Sequence, residues 1–299
     1  MEMKERKRGY ILGVASAFFY ALQVVLGKFI LNAGMAAMDL LVIQYTGSTM
    51  ILAVFLLLRK NKMLFRPEKK YWIPLIIQGI IGCFSTSFFF YLAMERLDAG
   101  IASVLLYLCP VYICVFFMVT GIRKISLSNN VAVVFALAGA LLALDIFTGE
   151  IRYSILGIAL GAISGICYAF YGVFADLKLR ALKTEQMLFF MYLTATIAFW
   201  IINPGFLSQS SLVIEPKMII LIICVTFLQV LPMALLNLAI REIGSHRASV
   251  VATAELPFTI LLAYAILSES FVGIQLVGIL LIVAAILLLQ KKEKTKSED

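Results

Sequence analysis

The sequence predicts an all-α polytopic membrane protein with ten transmembrane helices in two inverted five-helix repeats. Hydrophobic residues make up 63% of the 299 residues and charged residues only 14%, whereas about a quarter of the residues in a soluble domain are charged. Ten apolar segments are long enough to cross a hydrocarbon core of about 30 Å as helices. The two halves of the chain also share a pattern of small and aromatic residues.

The ten apolar segments set the predicted order of elements. Each has about 20 residues and few charges, as a membrane-spanning helix requires. The predicted spans cover residues 10–31, 38–58, 72–94, 99–120, 127–145, 154–175, 186–203, 217–240, 246–267 and 272–290. The stretch between the halves, Phe147 to Ser154, is too short to be a flexible linker, so the halves are expected to pack as one membrane domain.

The internal repeat is visible in the first and sixth spans, at an offset of 148 residues. The recurring residues are Gly9, Gly13, Ala17, Tyr20 and Ala21 in the first span and Gly157, Gly161, Gly165, Tyr168 and Ala169 in the sixth. Because five is an odd number of crossings, the second copy must enter the bilayer from the opposite face. We therefore predict two inverted repeats, residues 1–148 and 149–299, an arrangement typical of carriers.

The net charge of +8 follows from membrane topology. Of the 25 Lys and Arg residues, 21 lie in the tails and in the loops on the side of the N-terminus. The other four are Lys28, Arg96, Arg152 and Lys217. The positive-inside rule then places both termini in the cytoplasm and the protein in the cytoplasmic membrane. The basic character is explained without nucleic-acid binding, and the five cysteines lack the spacing of metal ligands, so no metal or cofactor is predicted.

Polar and aromatic side chains occupy equivalent places in the two halves. Tyr20 and Gln23 of the first span correspond to Tyr168 and Tyr171 of the sixth, and Tyr107 of the fourth span is assigned to the same candidate site. Spacings of three and four residues place such side chains on one helix face. They either line a substrate cavity or satisfy one another between packed helices.

Amide and hydroxyl side chains form a second candidate group. Gln78 and Ser85 lie in the third span, and Gln229 and Asn237 lie in its counterpart, the eighth. An unpaired amide in hydrocarbon costs several kcal/mol. These side chains are therefore expected either to bind a polar ligand or to form hydrogen bonds between helices.

Two symmetry-related prolines interrupt the fourth and ninth spans. Pro110 and Pro257 each remove a backbone donor and are expected to free the carbonyl four residues earlier, that of Leu106 or Thr253. Kinked helices with free carbonyls beside a cavity bind solutes or act as hinges. A purely structural kink is the alternative.

Glu255 is the candidate for proton or cation coupling. It follows His246 by nine residues, which is about 13.5 Å along a helix and close to the middle of the bilayer. A carboxyl group there must be protonated, paired with a cation or in contact with water. We expect it to bind a proton or a cationic group of the solute, with a neutral structural acid as the alternative. Its repeat partner is Leu108.

The chain resembles the ten-helix EamA-type branch of the drug/metabolite transporter superfamily over essentially its whole length. The resemblance rests on the paired repeats, on the Gly-x₆-Tyr-Ala pattern of the first and sixth spans, and on Ala248-Ser249, Glu255-Leu256-Pro257 and Leu267-Ser268-Glu269. The chain departs from the family pattern at Ile122-Arg123, where an acidic residue matching Glu269 is common.

The resemblance implies a helical carrier with a central cavity. Its lining is expected to come chiefly from the first, third, fourth, sixth, eighth and ninth helices, with the fifth and tenth at the periphery. Similar proteins move amino acids, their derivatives, amines, nucleobases or drugs, usually outward.

The primary hypothesis is a secondary active carrier of a small amphipathic metabolite, driven either by protons through Glu255 or by the membrane potential, with export favoured by the resemblance. An uncoupled facilitator is the alternative. A membrane-embedded enzyme is disfavoured because the chain has no H-E-x-x-H pair, no phosphate-binding glycine loop and one histidine in all. A scaffold is also less favoured than a carrier. A scaffold would have a sealed interior without a cavity. The expected partners are a small-molecule substrate, the lipid bilayer and protons.

The predicted topology places both chain ends on one side of the membrane. Cysteines added before Met1 and after Asp299, in a chain whose five cysteines are replaced, are expected to react with a membrane-impermeant maleimide only from the cytoplasmic side. Ends that react from opposite sides would contradict the inverted repeat.

Overall fold

The structure, a computed structural model, describes residues 2–58, 66–97, 99–122, 127–143, 154–205, 216–267 and 273–295. These residues form ten helical spans and no strand. The spans are α1 (Glu2–Asn32), α2 (Ala37–Leu58), α3 (Lys69–Met94), α4 (Ala99–Tyr107 and Cys109–Thr120), α5 (Leu127–Ala143), α6 (Ile155–Lys178), α7 (Thr184–Ile202), α8 (Pro216–Ile243), α9 (Ser245–Ala252 and Glu255–Leu267) and α10 (Gly273–Thr295).

The helical spans confirm the ten-helix membrane fold. Seven of the described helices are long and apolar enough to cross a membrane, and α4 and α10 contain the shorter apolar helices Leu105–Thr120 and Leu276–Ala285. The main difference from prediction is that α1 begins at Glu2, because helix-forming charged residues extend it beyond the apolar segment. Some positions used in the sequence analysis lie outside the described residues: the repeat junction at residues 144–153, and also Arg123, Ser268 and Glu269.

Span α3 is not a uniform α-helix. A 3₁₀ turn, Lys69–Tyr71, leads into the α-helix Trp72–Ile77, and the π-helix Gln78–Ser85 precedes a second α-helix, Thr86–Met94. A π-helix has hydrogen bonds between residues five apart and occurs frequently at functional sites. It rotates the later side chains of α3 relative to the faces that an α-helical repeat would predict.

Spans α4 and α9 are each interrupted near the middle. The breaks fall at Leu108 and at Thr253–Ala254, shortly before Pro110 and Pro257. Pro110 lies in the first turn of the following helix, where its missing N–H leaves no hydrogen bond unmade. The prediction that the Thr253 carbonyl is free is wrong, because this carbonyl accepts a hydrogen bond from the Leu256 N–H at 3.1 Å in the tight turn.

The two repeats are joined by symmetry-related contacts. Span α1 packs on α8 and α9, whereas α6 packs on α3 and α4, and α2 packs on α7. The Ser16 hydroxyl of α1 donates to the Pro232 carbonyl at 2.7 Å, and its repeat partner Ser164 donates to the Thr86 carbonyl at 2.9 Å. Each repeat therefore anchors its first helix on the third helix of the other repeat.

Residues of α2 and α7 that correspond in the two repeats touch each other. The hydroxyls of Thr49 and Thr196 lie 2.9 Å apart, and the ring centroids of Tyr45 and Tyr192 lie 5.4 Å apart. Only residues near a two-fold axis can contact their own symmetry partners. These contacts place the pseudo-two-fold axis of the inverted repeats between α2 and α7.

Small residues let α1 and α6 approach the opposite elements closely. A methyl group at Gly13 would lie 2.8 Å from Val251 Cγ1, and one at Gly161 would lie 2.6 Å from Leu105 Cδ1. Val251 and Leu105 occupy equivalent places in α9 and α4. At Gly165 the obstructing atom is the backbone carbonyl oxygen of Leu105, which cannot rotate away.

The close contact of Gly165 makes a stability prediction. We expect Gly165→Ala to destabilise the folded protein by about 1–3 kcal/mol, the usual cost of overpacking. Gly273→Ala is the matched control, since nothing lies within 4 Å of the methyl group that it would add. Thermal unfolding of both purified variants in detergent measures the difference, and equal melting temperatures would contradict the close approach.

Candidate functional site

A cavity of about 100 Å³ lies inside the bundle, where the two repeats meet. Its lining comes from α1, α3, α4, α6, α8 and α9, as expected, together with one residue of α2. The lining residues are Tyr20, Gln23, Val24, Tyr45, Gly82, Cys83, Thr86, Ser87, Phe90, Tyr91, Leu106, Tyr107, Tyr168, Gln229, Met233 and Glu255.

The acidic part of the lining is formed by Glu255 and neighbouring tyrosines. Glu255 is the first residue of the second helix of α9, is 8% exposed, and forms a side-chain hydrogen bond with Tyr107 of α4. Tyr20 and Tyr168 also line this cavity, and the Tyr20 hydroxyl contacts Met233 Sδ at 3.2 Å. A carboxyl group so placed can exchange a proton or a cation with the cavity.

An amide pair forms another part of the lining. The Gln23 side chain of α1 donates a hydrogen bond to the Gln229 side-chain oxygen of α8, and both residues border the cavity. The Tyr192 hydroxyl donates to the Gln229 backbone carbonyl at 2.6 Å, which orients this part of α8. The pair therefore combines the two roles considered for these residues, since it joins two helices and faces the cavity.

Four residues assigned to the site from the sequence lie outside the cavity lining. The Gln78 amide donates to the Tyr171 carbonyl at 3.0 Å, and the Ser85 hydroxyl donates to the Ile80 carbonyl at 2.9 Å. The Asn237 amide donates to the Tyr171 hydroxyl and, at 2.8 Å, to the Met233 carbonyl. Gln78, Tyr171 and Asn237 thus hold helices together beneath the cavity.

The π-helix explains why the third span was assigned incorrectly in detail. An α-helical repeat places Gln78 and Ser85 on one face, but the residues of α3 that reach the cavity include Thr86 and Ser87 instead. Hydrogen bonding between residues five apart changes the angle between successive side chains. The sequence carries no simple signal for such a segment.

Tyr45 and Ser87 are lining residues that sequence reasoning missed. Their hydroxyl groups are hydrogen-bonded at 2.6 Å, which brings α2 into contact with the cavity wall. Tyr45 was recognisable as a repeated residue through its match with Tyr192. A match between repeats indicates a structural place but does not tell a lining residue from a packing residue.

The interior is closed at the end of the bundle that contains Lys178 and Ser245. The void between Tyr171, Ile240 and their neighbours is only about 10 Å³ there. A second cavity, of about 380 Å³, lies between α4 and α6 and is bordered by exposed apolar residues such as Ile166. The Ser245 backbone N–H and hydroxyl donate to Asp176 Oδ2 at 3.2 and 3.1 Å. Asp176 is buried, so it holds the start of α9 against α6 and closes this end.

The part of the chain that the structure describes contains no group of three or more His, Cys, Asp and Glu side chains that could hold a metal ion. The candidate site is therefore built from one carboxyl group, two amides, hydroxyl groups and aromatic rings. This chemistry suits reversible binding of a small polar solute.

A duplicated helical bundle with a cavity between its halves is the architecture of many membrane transport proteins. The sequence profile of the EamA-like transporter family matches residues 7–144 and 155–290, so the chain belongs to this family.

Relatives agree with this family. A protein from Synechocystis sp. described as an uncharacterized transporter is 24% identical over 233 residues, which are 74% of this chain and 69% of that protein. An uncharacterized transporter of Haemophilus influenzae is 26% identical over 153 residues, 50% of this chain and 49% of the relative. A solved crystal structure shares the fold with a TM-score of 0.79, at 16% identity over 94% of this chain and 96% of its own.

The position of Ser87 gives a test of the cavity. In a chain without the native cysteines, Ser87→Cys is expected to react with a small water-soluble thiol reagent, because Ser87 borders the cavity. Ser48→Cys is the matched control, since Ser48 is fully buried against the Thr226 carbonyl. Mass spectrometry measures the modified fraction; equal protection of both sites would indicate a dry, sealed interior.

Proposed function

We propose that the protein is a secondary carrier of a small amphipathic metabolite, such as an amino acid, an amine or a nucleobase, working by alternating access. The cavity between the repeats, which is bordered by one carboxyl group and two amides, is the observation that carries this proposal. Membership of the EamA-like transporter family supports transport over catalysis. The cavity also argues against a scaffold with a solid interior.

The two repeats contribute unequally to the cavity lining, which supports alternating access. Span α3 contributes six lining residues, whereas its repeat partner α8 contributes Gln229 and Met233. In an inverted repeat, the opposite-facing state arises when the two halves exchange conformations. After the exchange, α3 would have the packing that α8 has now, and the present cavity would close. The end of the bundle that Asp176 closes would open.

The direction and the membrane are assigned on the resemblance and on the charge distribution. Similar carriers usually export their solutes, and the bias of Lys and Arg places both termini and the closed end in the cytoplasm. The cavity then lies towards the outer half of a cytoplasmic membrane. In this orientation the cavity of the structure is arranged to release an exported solute.

Glu255 is proposed to couple transport to protons. Its carboxyl group borders the cavity, and no ion pair among the described residues includes it. A proton and a solute can therefore both reach it. In the alternative, an uncoupled facilitator, the hydrogen bond with Tyr107 serves only to hold α4 against α9.

Replacement of Glu255 tests this coupling. In proteoliposomes, Glu255→Gln is expected to abolish the dependence of solute uptake on a pH gradient, because the amide cannot gain or lose a proton. Exchange of labelled for unlabelled solute without a gradient, measured at a solute concentration that saturates the variant, is expected to persist. Glu68→Gln, at an exposed carboxylate paired with Lys70 at 2.7 Å, is the control and should retain gradient-driven uptake. Unchanged coupling in Glu255→Gln would assign Glu255 a structural role.

A further inference from the structure

Resting on the proposed carrier function, we propose that the cavity binds the ammonium group of a small organic cation and discriminates against solutes that carry a carboxylate. The site consists of the Glu255 carboxyl group and the free side-chain oxygen of the Gln23–Gln229 pair. This assigns amines, rather than amino acids or nucleobases, as the substrate class.

The charged groups of the cavity lining favour a cation. Among the described lining residues, Glu255 is the one carboxylic acid and there is no Lys, Arg or His. A charge inside a membrane protein must be paired or hydrated. An ammonium group can pair with Glu255 in its carboxylate form, whereas a carboxylate solute finds no cationic side chain among these residues.

The amide pair independently favours a solute that donates hydrogen bonds. Gln23 is 8% exposed, and its Oε1 is buried without a hydrogen-bond partner among the described residues. The Gln23–Gln229 hydrogen bond uses one donor and one acceptor of the two amides. The pair therefore leaves Gln23 Oε1 without a hydrogen bond from the part of the chain that the structure describes, in a side chain that borders the cavity. A buried unsatisfied acceptor favours a ligand that donates hydrogen bonds.

The backbone at the two helix breaks offers no competing site for an anion. Helix starts bind anions when their N–H groups are free. Here the Val111 and Tyr112 N–H groups both donate to the Leu108 carbonyl, and the Leu256 N–H donates to the Thr253 carbonyl. Glu255 also occupies the start of its own helix, where its negative charge disfavours a second anion.

Aromatic rings add to the attraction for a cation. Tyr20, Tyr107 and Tyr168 border the same cavity as Glu255. The face of a tyrosine ring attracts ammonium groups, more strongly when both are removed from water. The same ring faces do not attract a carboxylate.

The size of the cavity suits a small amine. Its volume is about 100 Å³. An apolar cavity of about 150 Å³ is known to hold benzene. An ammonium group with a short chain, which is smaller than benzene, therefore fits within this volume.

Binding to the purified full-length protein tests the proposal by isothermal titration at neutral pH. The probes are n-propylammonium, glycine, propionate and 1-propanol, which are similar in size and differ in charge. We expect n-propylammonium to bind at least tenfold more tightly than the other three. Gln23→Leu and Glu255→Gln are each expected to weaken its binding by about ten- to a hundredfold, the usual loss for a hydrogen bond to a charged group.

Two further variants separate a binding effect from a folding effect. Gln44→Leu is the matched control, since Gln44 is fully buried outside the cavity lining, and should bind n-propylammonium as the parent does. Gln23→Glu adds a carboxyl group to the site and should bind it more tightly, which a damaged fold would not.

Two results would overturn the proposal: glycine binding as tightly as n-propylammonium, or amine binding that is insensitive to both Gln23→Leu and Glu255→Gln. The carrier function is judged separately, by exchange of labelled solutes across proteoliposomes. Exchange of glycine or propionate would retain the carrier and overturn the amine site.

Discussion

Polar groups inside this bundle must be satisfied by the protein or by the contents of its cavity, because hydrocarbon offers no hydrogen bonds. Ser16 and Ser164 meet this requirement by donating to the opposite repeat, which ties the halves together. Gln23 and Gln229 meet it in part, since their mutual bond leaves Gln23 Oε1 without a partner among the described residues. The constraint that stabilises the bundle thus also underlies the binding chemistry proposed for its interior.

Close packing of the first helix of each repeat places this chemistry at the centre. Gly161 and Gly165 allow α6 to rest against Leu105, one turn from the break in α4. The break brings Tyr107 next to Glu255, which begins the second helix of α9. Without the close approach of α6, the two interrupted helices would lie farther apart and the acidic wall of the cavity would not form.

The repeats are symmetric in fold and asymmetric in chemistry. Tyr20 and Tyr168 keep equivalent places in the cavity wall, but Glu255 corresponds to Leu108 and Gln23 corresponds to Tyr171. The Glu255 carboxyl group therefore comes from the second repeat and the Gln23 amide from the first, and neither group has a counterpart in the other repeat. In the proposed alternating-access cycle, an exchange of conformations between the halves would preserve a single site and change the side from which it is reached.

The sequence by itself determined the membrane fold, because twenty-residue apolar segments have few alternatives in a bilayer and an odd-numbered repeat must invert. It also indicated Glu255, Gln23 and Gln229, since polar groups at that depth need partners wherever the helices pack. Only the tertiary structure decided that Gln78, Tyr171 and Asn237 join helices while Tyr45 and Ser87 border the cavity. The register of the π-helix in α3 and the rotation of neighbouring helices depend on contacts between distant segments, and periodicity along one segment carries no record of them.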